Sequence, residues 1–454
     1  MDTIVAISTP AAPAGLGVLR LSGPEAIAVA CRVFRPADPA RTLEKLPGYT
    51  AAYGHVADGE GDIDDCVALV FRAPRSYTGE DVVELSCHGG LYLLRRVLRA
   101  CLEAGARPAQ PGEFTRRAFL NGKMDLTQAE SVMDLIAADG RLAARTALAA
   151  AEGGTFRQLS RVKEGLLAAA AQMGAYVDYP DDDIPELAPE ALEQTLTQAI
   201  TAVSALLDTF DAGRILREGI DTAIVGSPNV GKSTLMNCLA GCERSIVTDI
   251  AGTTRDIVEE TVRLGDVVLR LADTAGIRET DDRVETVGVD KARRRLQQAA
   301  LVLAVFDGSR PLTEDDRALA EQAAQAATIA IINKTDLPLV IDRAWLESRF
   351  DRVVLLSAKE GDGLAQLTEA VAAVTGVERL DGAQPLLTTE RQRQCAATCL
   401  TCLQEAHTAL VGGMTLDAVG VSMDGAIAAL LELTGERTTE AVVEQVFSRF
   451  CVGK

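Results

Sequence analysis

The sequence predicts a multidomain protein that combines an α+β domain, an all-α domain and an inserted α/β domain with a mostly parallel sheet. Its 454 residues are enough for about three domains. Apolar strands alternate with helices between residues 221 and 357, which indicates a sheet with helices on both faces. Ala-rich and Leu-rich helical periodicity lies on either side of this block. We therefore expect the block to be inserted into a helical domain.

Composition and charge narrow the class of protein. Hydrophobic residues make up 48% of the chain and charged residues 24%, which is ordinary for a globular protein. The sequence contains no run of about 18 apolar residues, and its start lacks the pattern of a signal peptide. Ten Cys fit a reducing compartment, so we expect a cytoplasmic protein without membrane contact. The net charge of −20 disfavours tight binding of naked nucleic acid, because phosphate contacts supply most of that affinity.

The predicted domain limits follow the changes in pattern. Residues 1–118 mix short strand-like runs, such as GVLRLSG and DVVELSCHGG, with a helix and Pro-rich and Gly-rich connections. Residues 119–215 are the first part of the helical domain and residues 379–454 the second. Residues 216–378 form the inserted domain, with the predicted strands DTAIVG (221–226), IVEETVRL (257–264), VVLRLAD (267–273), LVLAVFD (301–307), TIAIIN (328–333) and RVVLLS (352–357).

A cysteine cluster lies in the last helical part. Cys395, Cys399 and Cys402 have the spacing of three thiolates that hold an iron–sulfur cluster. Their surroundings read as one continuous helix without Gly or Pro, and offsets of four and three place all three on one helix face. We favour a packed helix stripe over a cluster site.

The segment GSPNVGKS at Gly226–Ser233 matches the phosphate-binding pattern G-x-x-x-x-G-K-[ST] between a strand and a helix. Its glycines permit a tight loop whose backbone N–H groups face phosphates at a helix N-terminus. Lys232 is predicted to reach the terminal phosphates, and the Ser233 hydroxyl to bind Mg²⁺.

Further motifs follow in the order of a GTPase of the Ras-like P-loop class. DTAG (273–276) ends a strand, with Asp273 expected at Mg²⁺ and the Gly276 N–H at the γ-phosphate. NKTD (333–336) supplies a carboxylate that accepts two hydrogen bonds from guanine, and SAK (357–359) completes the base pocket. In the segment IVTDIAGTTRD, Thr254 is predicted to complete the Mg²⁺ shell. The residues predicted to bind GTP are Asn229, Val230, Gly231, Lys232, Ser233, Thr234, Thr248, Asp249, Ile250, Ala251, Gly252, Thr253, Thr254, Asp273, Thr274, Ala275, Gly276, Asn333, Lys334, Thr335, Asp336, Ser357, Ala358 and Lys359.

The motifs together resemble the tRNA-modification GTPases of the MnmE (TrmE) family. The resemblance rests on GTTRD, GSPNVGKS, SYTGEDVVEL, PGEFTRRAFLNGKMDLTQAE, LREGI and the terminal FCVGK, and it covers the chain from end to end. It implies a folate-binding-like N-terminal domain that also forms a homodimer.

Ile277 stands where Ras-type GTPases carry the Gln that orients the attacking water. The resemblance implies that a potassium ion and a glutamate replace it. Asn229 and oxygens of Thr248, Ile250 and Thr253 would hold the potassium ion, which neutralises charge between the β- and γ-phosphates. Glu285 would orient the water; from the residues alone, Glu279 is an equal candidate.

The resemblance also implies a site for a 5-formyl-tetrahydrofolate-type donor of one-carbon units. Arg20, Glu84, Lys123 and Lys454 would contact it, although each reads as surface charge without the family. Cys451 is a candidate nucleophile if a mobile tail and the nearby Lys454 lower the pKa of its thiol; a buried structural Cys is equally compatible with the sequence.

The function implied by the resemblance is a potassium-dependent GTPase that helps to build an aminomethyl-type group on C5 of the wobble uridine of certain tRNAs. An FAD-dependent partner protein would hold most of the tRNA in a hetero-oligomer, which fits the acidic charge of this chain. The main alternative is a GTPase switch, such as a ribosome-assembly factor, without chemistry outside the nucleotide site. A membrane-linked ion-transport GTPase is a third alternative, but the sequence lacks an apolar span.

Overall fold

The computed structural model describes residues 2–178, 189–242, 260–271 and 299–454. The chain divides into two compact units, Met1–Met133 with Ala428–Lys454, and Asp134–Ile427. The predicted combination of an N-terminal α+β domain, a helical domain and an inserted α/β domain is confirmed. The predicted domain limits themselves stay predictions.

The first unit is built on a seven-stranded sheet in the order β3-β4-β5-β6-β2-β1-β7. Neighbouring strands are antiparallel except β1 and β7. Helices α1 and α2 pack on the buried face, where residues such as Leu19, Leu85 and Val97 form the core. The elements are β1 (Ile4–Ile7), β2 (Ala14–Ser22), α1 (Ala26–Val33), β3 (Phe34–Pro36), β4 (Thr50–Asp58), β5 (Gly61–Phe71), β6 (Val82–Gly89), α2 (Leu91–Glu103), β7 (Arg107–Pro108) and α3 (Glu113–Leu120).

Helices dominate the segment that follows. They are α4 (Leu126–Ala137), α5 (Arg141–Ala151), α6 (Gly154–Asp178), α7 (Pro189–Leu207) and α8 (Phe210–Glu218). Ala and Leu are the commonest apolar residues of these helices, which favours helix formation with little loss of side-chain entropy. No helix in the described ranges is long and apolar enough to cross a membrane.

The inserted domain contains a six-stranded sheet in the order β13-β12-β11-β8-β10-β9, parallel except for the β9–β10 pair. Helices α9 and α12 pack on one face, and α10 and α11 on the other. Every residue of β11 and β12 is buried, as expected for central parallel strands. The elements are β8 (Ile220–Val225), α9 (Lys232–Cys242), β9 (Glu260–Leu264), β10 (Val267–Leu271), β11 (Leu301–Asp307), α10 (Glu314–Ala323), β12 (Thr328–Asn333), α11 (Arg343–Glu347), β13 (Val353–Leu355) and α12 (Leu364–Thr375).

Three helices complete the described chain: α13 (Glu390–Val411), α14 (Leu416–Thr434) and α15 (Glu440–Phe447). Cys395, Cys399 and Cys402 all lie on α13, and the first two are buried, as the packed-stripe interpretation predicts. Helix α15 belongs to the first unit, where Val443, Phe447 and Phe450 pack on Leu126 and Ala129 of α4. The end of the chain is therefore part of the same hydrophobic core as residues near position 126.

Candidate functional site

The phosphate-binding motif lies between β8 and α9, at the carboxyl end of the parallel strands. Ligands of open α/β sheets bind at this edge. Asn229 and Gly231 adopt positive φ angles of 61° and 97°. A Cβ on Gly231 would lie 2.3 Å from the Asn333 side-chain nitrogen, and one on Gly226 would lie 2.5 Å from the Val305 carbonyl oxygen. Close approach therefore requires glycine at both positions, and the positive φ angle also favours it at Gly231.

Lys232 closes the loop over its own backbone. Its Nζ donates hydrogen bonds to the carbonyl oxygens of Gly226 and Ser227, both at 2.8 Å. Burial lowers the pKa of the Lys232 ammonium. A partly desolvated cation at a helix N-terminus is a favourable site for an anionic phosphate.

The NKTD segment braces the loop and approaches the SAK segment. The Asn333 side-chain nitrogen donates to the Val230 carbonyl at 2.8 Å. The Asn333 side-chain oxygen accepts a hydrogen bond from the Ala358 N–H at 3.0 Å. The Ser357 hydroxyl donates to Asp336 Oδ1 at 2.8 Å. The structure therefore brings the predicted phosphate and guanine motifs together, and Asn333 holds the loops that form them.

Two carboxylates beside this site did not stand out in the sequence. Asp307 Oδ2 lies 2.6 Å from Lys334 Nζ, and Asp316 Oδ1 accepts a 2.6 Å hydrogen bond from the Ser227 hydroxyl. Burial raises the pKa of Asp307, but hydrogen bonds from Lys334 and Ser309 lower it by more. The sequence does contain features that could have drawn attention to these two residues. Asp307 is the last residue of a buried strand, and Thr313 and Asp316 have the spacing of a capping box.

In the first unit, the structure brings together three of the four residues predicted to bind a folate. Arg20 and Glu84 face each other across β2 and β6, with Arg20 Nη2 2.8 Å from Glu84 Oε1. The Arg20 guanidinium lies over the rings of Tyr77 and Phe114, at 5.5 and 5.7 Å from their centroids. Burial and the charge of Arg20 lower the pKa of Lys454, against the opposite effect of Glu84. These three side chains therefore share one electrostatic environment.

Lys123 has a different partner in the structure. Its Nζ donates to the Pro74 carbonyl at 3.1 Å. Its Cγ lies close to Gly79, at 3.3 Å from the position that a Cβ on that glycine would take. No interaction described for Lys123 reaches Arg20, Glu84 or Lys454 within residues 2–178 and 299–454. Its predicted role at the folate stays a prediction.

Comparison with known proteins places the chain in a family. The profile described as the MnmE helical domain matches residues 126–451, and the profile described as the GTP-binding protein TrmE N-terminus matches residues 3–123. The tRNA modification GTPase MnmE of Symbiobacterium thermophilum is 43% identical over 100% of this chain and 99% of its own length. The chain belongs to the MnmE family. The proteins of the same name from Lactiplantibacillus plantarum and Levilactobacillus brevis are 40% and 41% identical over 100% of this chain and 98% of each relative.

Membership of the MnmE family makes this protein a GTPase that acts in tRNA modification, with GTP and Mg²⁺ as the nucleotide and metal that such a GTPase uses. Among solved structures, the G domain of the T. maritima FeoB iron transporter is 25% identical, covering 34% of this chain and 98% of that domain with a TM-score of 0.26.

Several MnmE-type residues predicted from the sequence lie outside the described residues. They are Thr248, Asp249, Ile250, Ala251, Gly252, Thr253, Thr254, Asp273, Thr274, Ala275, Gly276 and Glu285, together with Ile277 and the alternative Glu279. Among the predicted ligands of Mg²⁺ and potassium, the structure describes Ser233, at the second residue of α9, and Asn229 in the loop before it.

The MnmE-type terminal segment FCVGK is hydrogen-bonded to the first unit. The Gly112 N–H donates to the Cys451 carbonyl at 3.3 Å, the Phe114 N–H to the Lys454 carbonyl at 3.1 Å, and the Ser8 hydroxyl to the Gly453 carbonyl at 3.2 Å. Three backbone carbonyls of the tail therefore have partners, and the mobility of the tail stays a prediction. The Cys451 side chain is exposed, as a nucleophile requires, but no contact identifies it as one.

Proposed function

We propose that this GTPase helps to build an aminomethyl-type group on C5 of the wobble uridine of certain tRNAs, with a one-carbon unit from a tetrahydrofolate. The observation that carries the proposal is the cluster of Arg20, Glu84 and Lys454. Hydrogen bonds to the backbone of residues 451–454 hold Lys454 in this cluster. The Arg20–Glu84 ion pair has only 17% and 22% side-chain exposure and lies beside a half-buried Lys454, so three charged groups are concentrated at one place.

The chemistry of this cluster fits a reduced folate. The Glu84 carboxylate is an acceptor for the paired N–H donors of a pterin ring, and Arg20 and Lys454 are cations for the carboxylates of the ligand. Tyr77 adds aromatic surface next to Arg20, and the fully buried Phe114 ring also lies beside the Arg20 guanidinium. When bound, the folate would supply the one-carbon unit; the protein residues bind and orient it. Lys123 is a further proposed contact of the folate, and Cys451 is the proposed nucleophile.

The nucleotide site is assigned by the same reasoning. Lys232 would bind the terminal phosphates, the Ser233 hydroxyl would bind Mg²⁺ together with Thr254, and Asp336 would recognise guanine. The carbonyl contacts of Lys232 support this assignment, because they hold the ammonium at the loop while burial disfavours its charge. A bound phosphate would favour the charged form and offset this effect of burial.

Potassium dependence is part of the proposal. Asn229 is exposed on the loop and has a left-handed backbone conformation. The oxygen of its side-chain amide is a suitable ligand for a hard cation. Thr248, Ile250 and Thr253 would complete the cation site, and Glu285 would orient the attacking water. Hydrolysis should therefore be faster in potassium than in sodium, and Asn229→Ala should remove the difference. Equal rates in the two salts would refute the cation site.

The proposed partners are a second copy of this chain and an FAD-dependent protein that holds most of the tRNA. Tyr53 and Val67 lie opposite each other on β4 and β5, and both are exposed, which supports a homodimer through the first unit. The net charge of −20 supports a division of labour in which another protein supplies the main contacts to tRNA phosphates.

The decisive experiment is mass analysis of tRNA nucleosides from cells in which the gene for this protein is deleted. The deleted cells are compared with cells to which the natural sequence or a variant has been returned. Glu84→Gln should leave the wobble uridine unmodified and abolish 5-formyl-tetrahydrofolate binding by the purified protein. Arg35→Ala is the matched control, since Arg35 forms an exposed pair with Asp62 in the same domain. Normal wobble uridines in cells lacking the protein would favour a GTPase switch without tRNA chemistry.

A further inference from the structure

A buried polar network lies behind the nucleotide loops. Asp316, only 2% exposed, accepts hydrogen bonds from the Ser227 hydroxyl at 2.6 Å and from Arg310 Nη1 at 2.8 Å. It also accepts from the Thr313 N–H and hydroxyl, at 3.0 and 2.8 Å. Both carboxylate oxygens are thus engaged, and one of them is bound to the phosphate loop.

The same network continues toward the guanine motif. Arg310 Nε lies 4.0 Å from Asp307 Oδ2, and that oxygen lies 2.6 Å from Lys334 Nζ of NKTD. Ser309 donates two hydrogen bonds to the other oxygen of Asp307, from its N–H at 3.0 Å and from its hydroxyl at 2.6 Å. One arginine therefore lies between two buried carboxylates, each of which holds a residue of a different GTP-binding segment.

The energetics favour a positioning role. Burial raises the pKa of Asp316, but the hydrogen bonds from Ser227, Thr313 and Arg310 lower it by more, so the group is ionised at neutral pH. Hydrogen bonds to an ionised group are stronger and more directional than neutral ones. A hydroxyl fixed by such a bond also fixes the backbone that carries it. The Ser227 carbonyl is in turn one of the two acceptors of Lys232 Nζ.

We propose that Asp316 is a positioning residue for GTP binding: it holds Ser227 and thereby the phosphate loop, while Arg310 links it to Asp307 and the guanine-binding Lys334. The network sets the spacing between the loops for the two ends of the nucleotide, so both ends are bound by a preorganised site. This inference rests on the nucleotide site proposed above.

The test is titration of the full-length protein with a fluorescent GDP analogue. The natural protein must bind it first; if it does not, the nucleotide assignment fails, independently of Asp316. Given binding, Ser227→Ala should raise the Kd about 10-fold, because a charge-assisted hydrogen bond is lost. Ser227→Thr keeps the hydroxyl and should restore most of the affinity. An unchanged Kd for Ser227→Ala would overturn the proposal.

A double-mutant cycle separates positioning from general stabilisation. Asp316→Ala should weaken GDP binding, as Ser227→Ala does. The double variant should bind GDP no more weakly than Asp316→Ala alone, because the two substitutions remove the same hydrogen bond between Ser227 and Asp316. Additive losses would overturn the proposal. Asp315→Ala is the matched control, because Asp315 lies in the same helical turn but is exposed. If Asp316→Ala fails to fold, the Ser227→Ala and Ser227→Thr pair still decides the result.

Steady-state kinetics add a readout that a merely structural role would not give. Ser227→Ala should raise KM about 10-fold and change kcat less than about threefold, because the loop binds ground state and transition state alike. The link through Arg310 is tested by a second cycle between Ser227→Ala and Asp307→Ala. The effects of the two substitutions on the free energy of GDP binding should be non-additive in the natural protein and additive in the Arg310→Met variant. Additivity in both backgrounds would overturn the link to Lys334.

Discussion

Asp336 is the residue on which guanine selectivity is expected to depend. Its Oδ1 is held by Ser357, which fixes the orientation of the carboxylate. Asp336→Asn should lower GDP affinity on the order of 100-fold and raise xanthosine diphosphate affinity, because one acceptor becomes a donor and xanthine carries the matching carbonyl. Titrations with both nucleotides measure the change. Asp342→Asn, at the N-cap of α11, is the control and should change neither affinity.

Lys232 is expected to give nucleotide binding a pH dependence. Burial lowers the pKa of its ammonium in the free protein, and a bound phosphate favours the charged form and raises that pKa. Binding should therefore take up a proton in the pH range just below the ordinary value of 10.5, and GDP affinity should fall as the pH rises through the lowered pKa.

Calorimetry in buffers of different ionisation enthalpy measures this proton uptake. Lys232→Arg is the informative variant, since a guanidinium stays charged throughout the range and should flatten the pH dependence. Proton release on binding, or the same slope in Lys232→Arg, would contradict the role of Lys232.

At the scale of secondary-structure elements, the turn of the β9–β10 hairpin caps helix α5. Asp266 Oδ1 accepts a 3.0 Å hydrogen bond from the Leu142 N–H, in the first turn of α5. Leu142 and Ala143 pack into the core of the inserted domain. Asp266→Ala should therefore lower the free energy of unfolding by about 1 kcal/mol, whereas Asp266→Asn should lower it less, because Asn is also a good capping residue.

Thermal and denaturant unfolding of the full chain measure the effect of these substitutions. Asp221→Ala is the control, since Asp221 pairs with Arg270 at the surface of the same sheet and exposed pairs contribute little. Equal losses for Asp266→Ala and Asp221→Ala would show that the cap does not stabilise α5.

Elements were predicted best where apolar runs are continuous. Strands β11 and β12 lie at the residues predicted, because both are buried on two faces. Strand β13 is shorter than RVVLLS, since the backbone of Ser357 turns to bond with Asp362. The Arg20–Glu84 pair and the Ser227–Asp316 bond depend on the pairing and packing of distant segments, for which local pattern carries no signal. The resemblance selected the first pair, and nothing in the sequence analysis selected the second.

At the scale of the whole molecule, the first unit is assembled from both ends of the chain. Leu126 and Ala129 are fully buried in a cluster to which Val443, Phe447 and Phe450 from the end of the chain contribute. A fragment of residues 1–133 should therefore expose this apolar surface, bind a hydrophobic dye and unfold without a cooperative transition. Fusing residues 428–454 to it through a flexible linker should restore cooperativity. Calorimetric unfolding of the two fragments, with Phe447→Ala in the fusion as control, tests this expectation.

The two-ended assembly has a consequence for biosynthesis. Ribosomes add about 5–20 residues per second, so residues 428–454 emerge about 15–60 s after the end of the first segment, once the roughly 300 residues between them have been made. Through that interval the nascent chain carries Leu126 and Ala129 without their cover, and Arg20 and Glu84 without Lys454. The inserted domain is complete earlier, since all of its strands precede residue 428. Each newly made molecule should thus complete its nucleotide site before the proposed folate site.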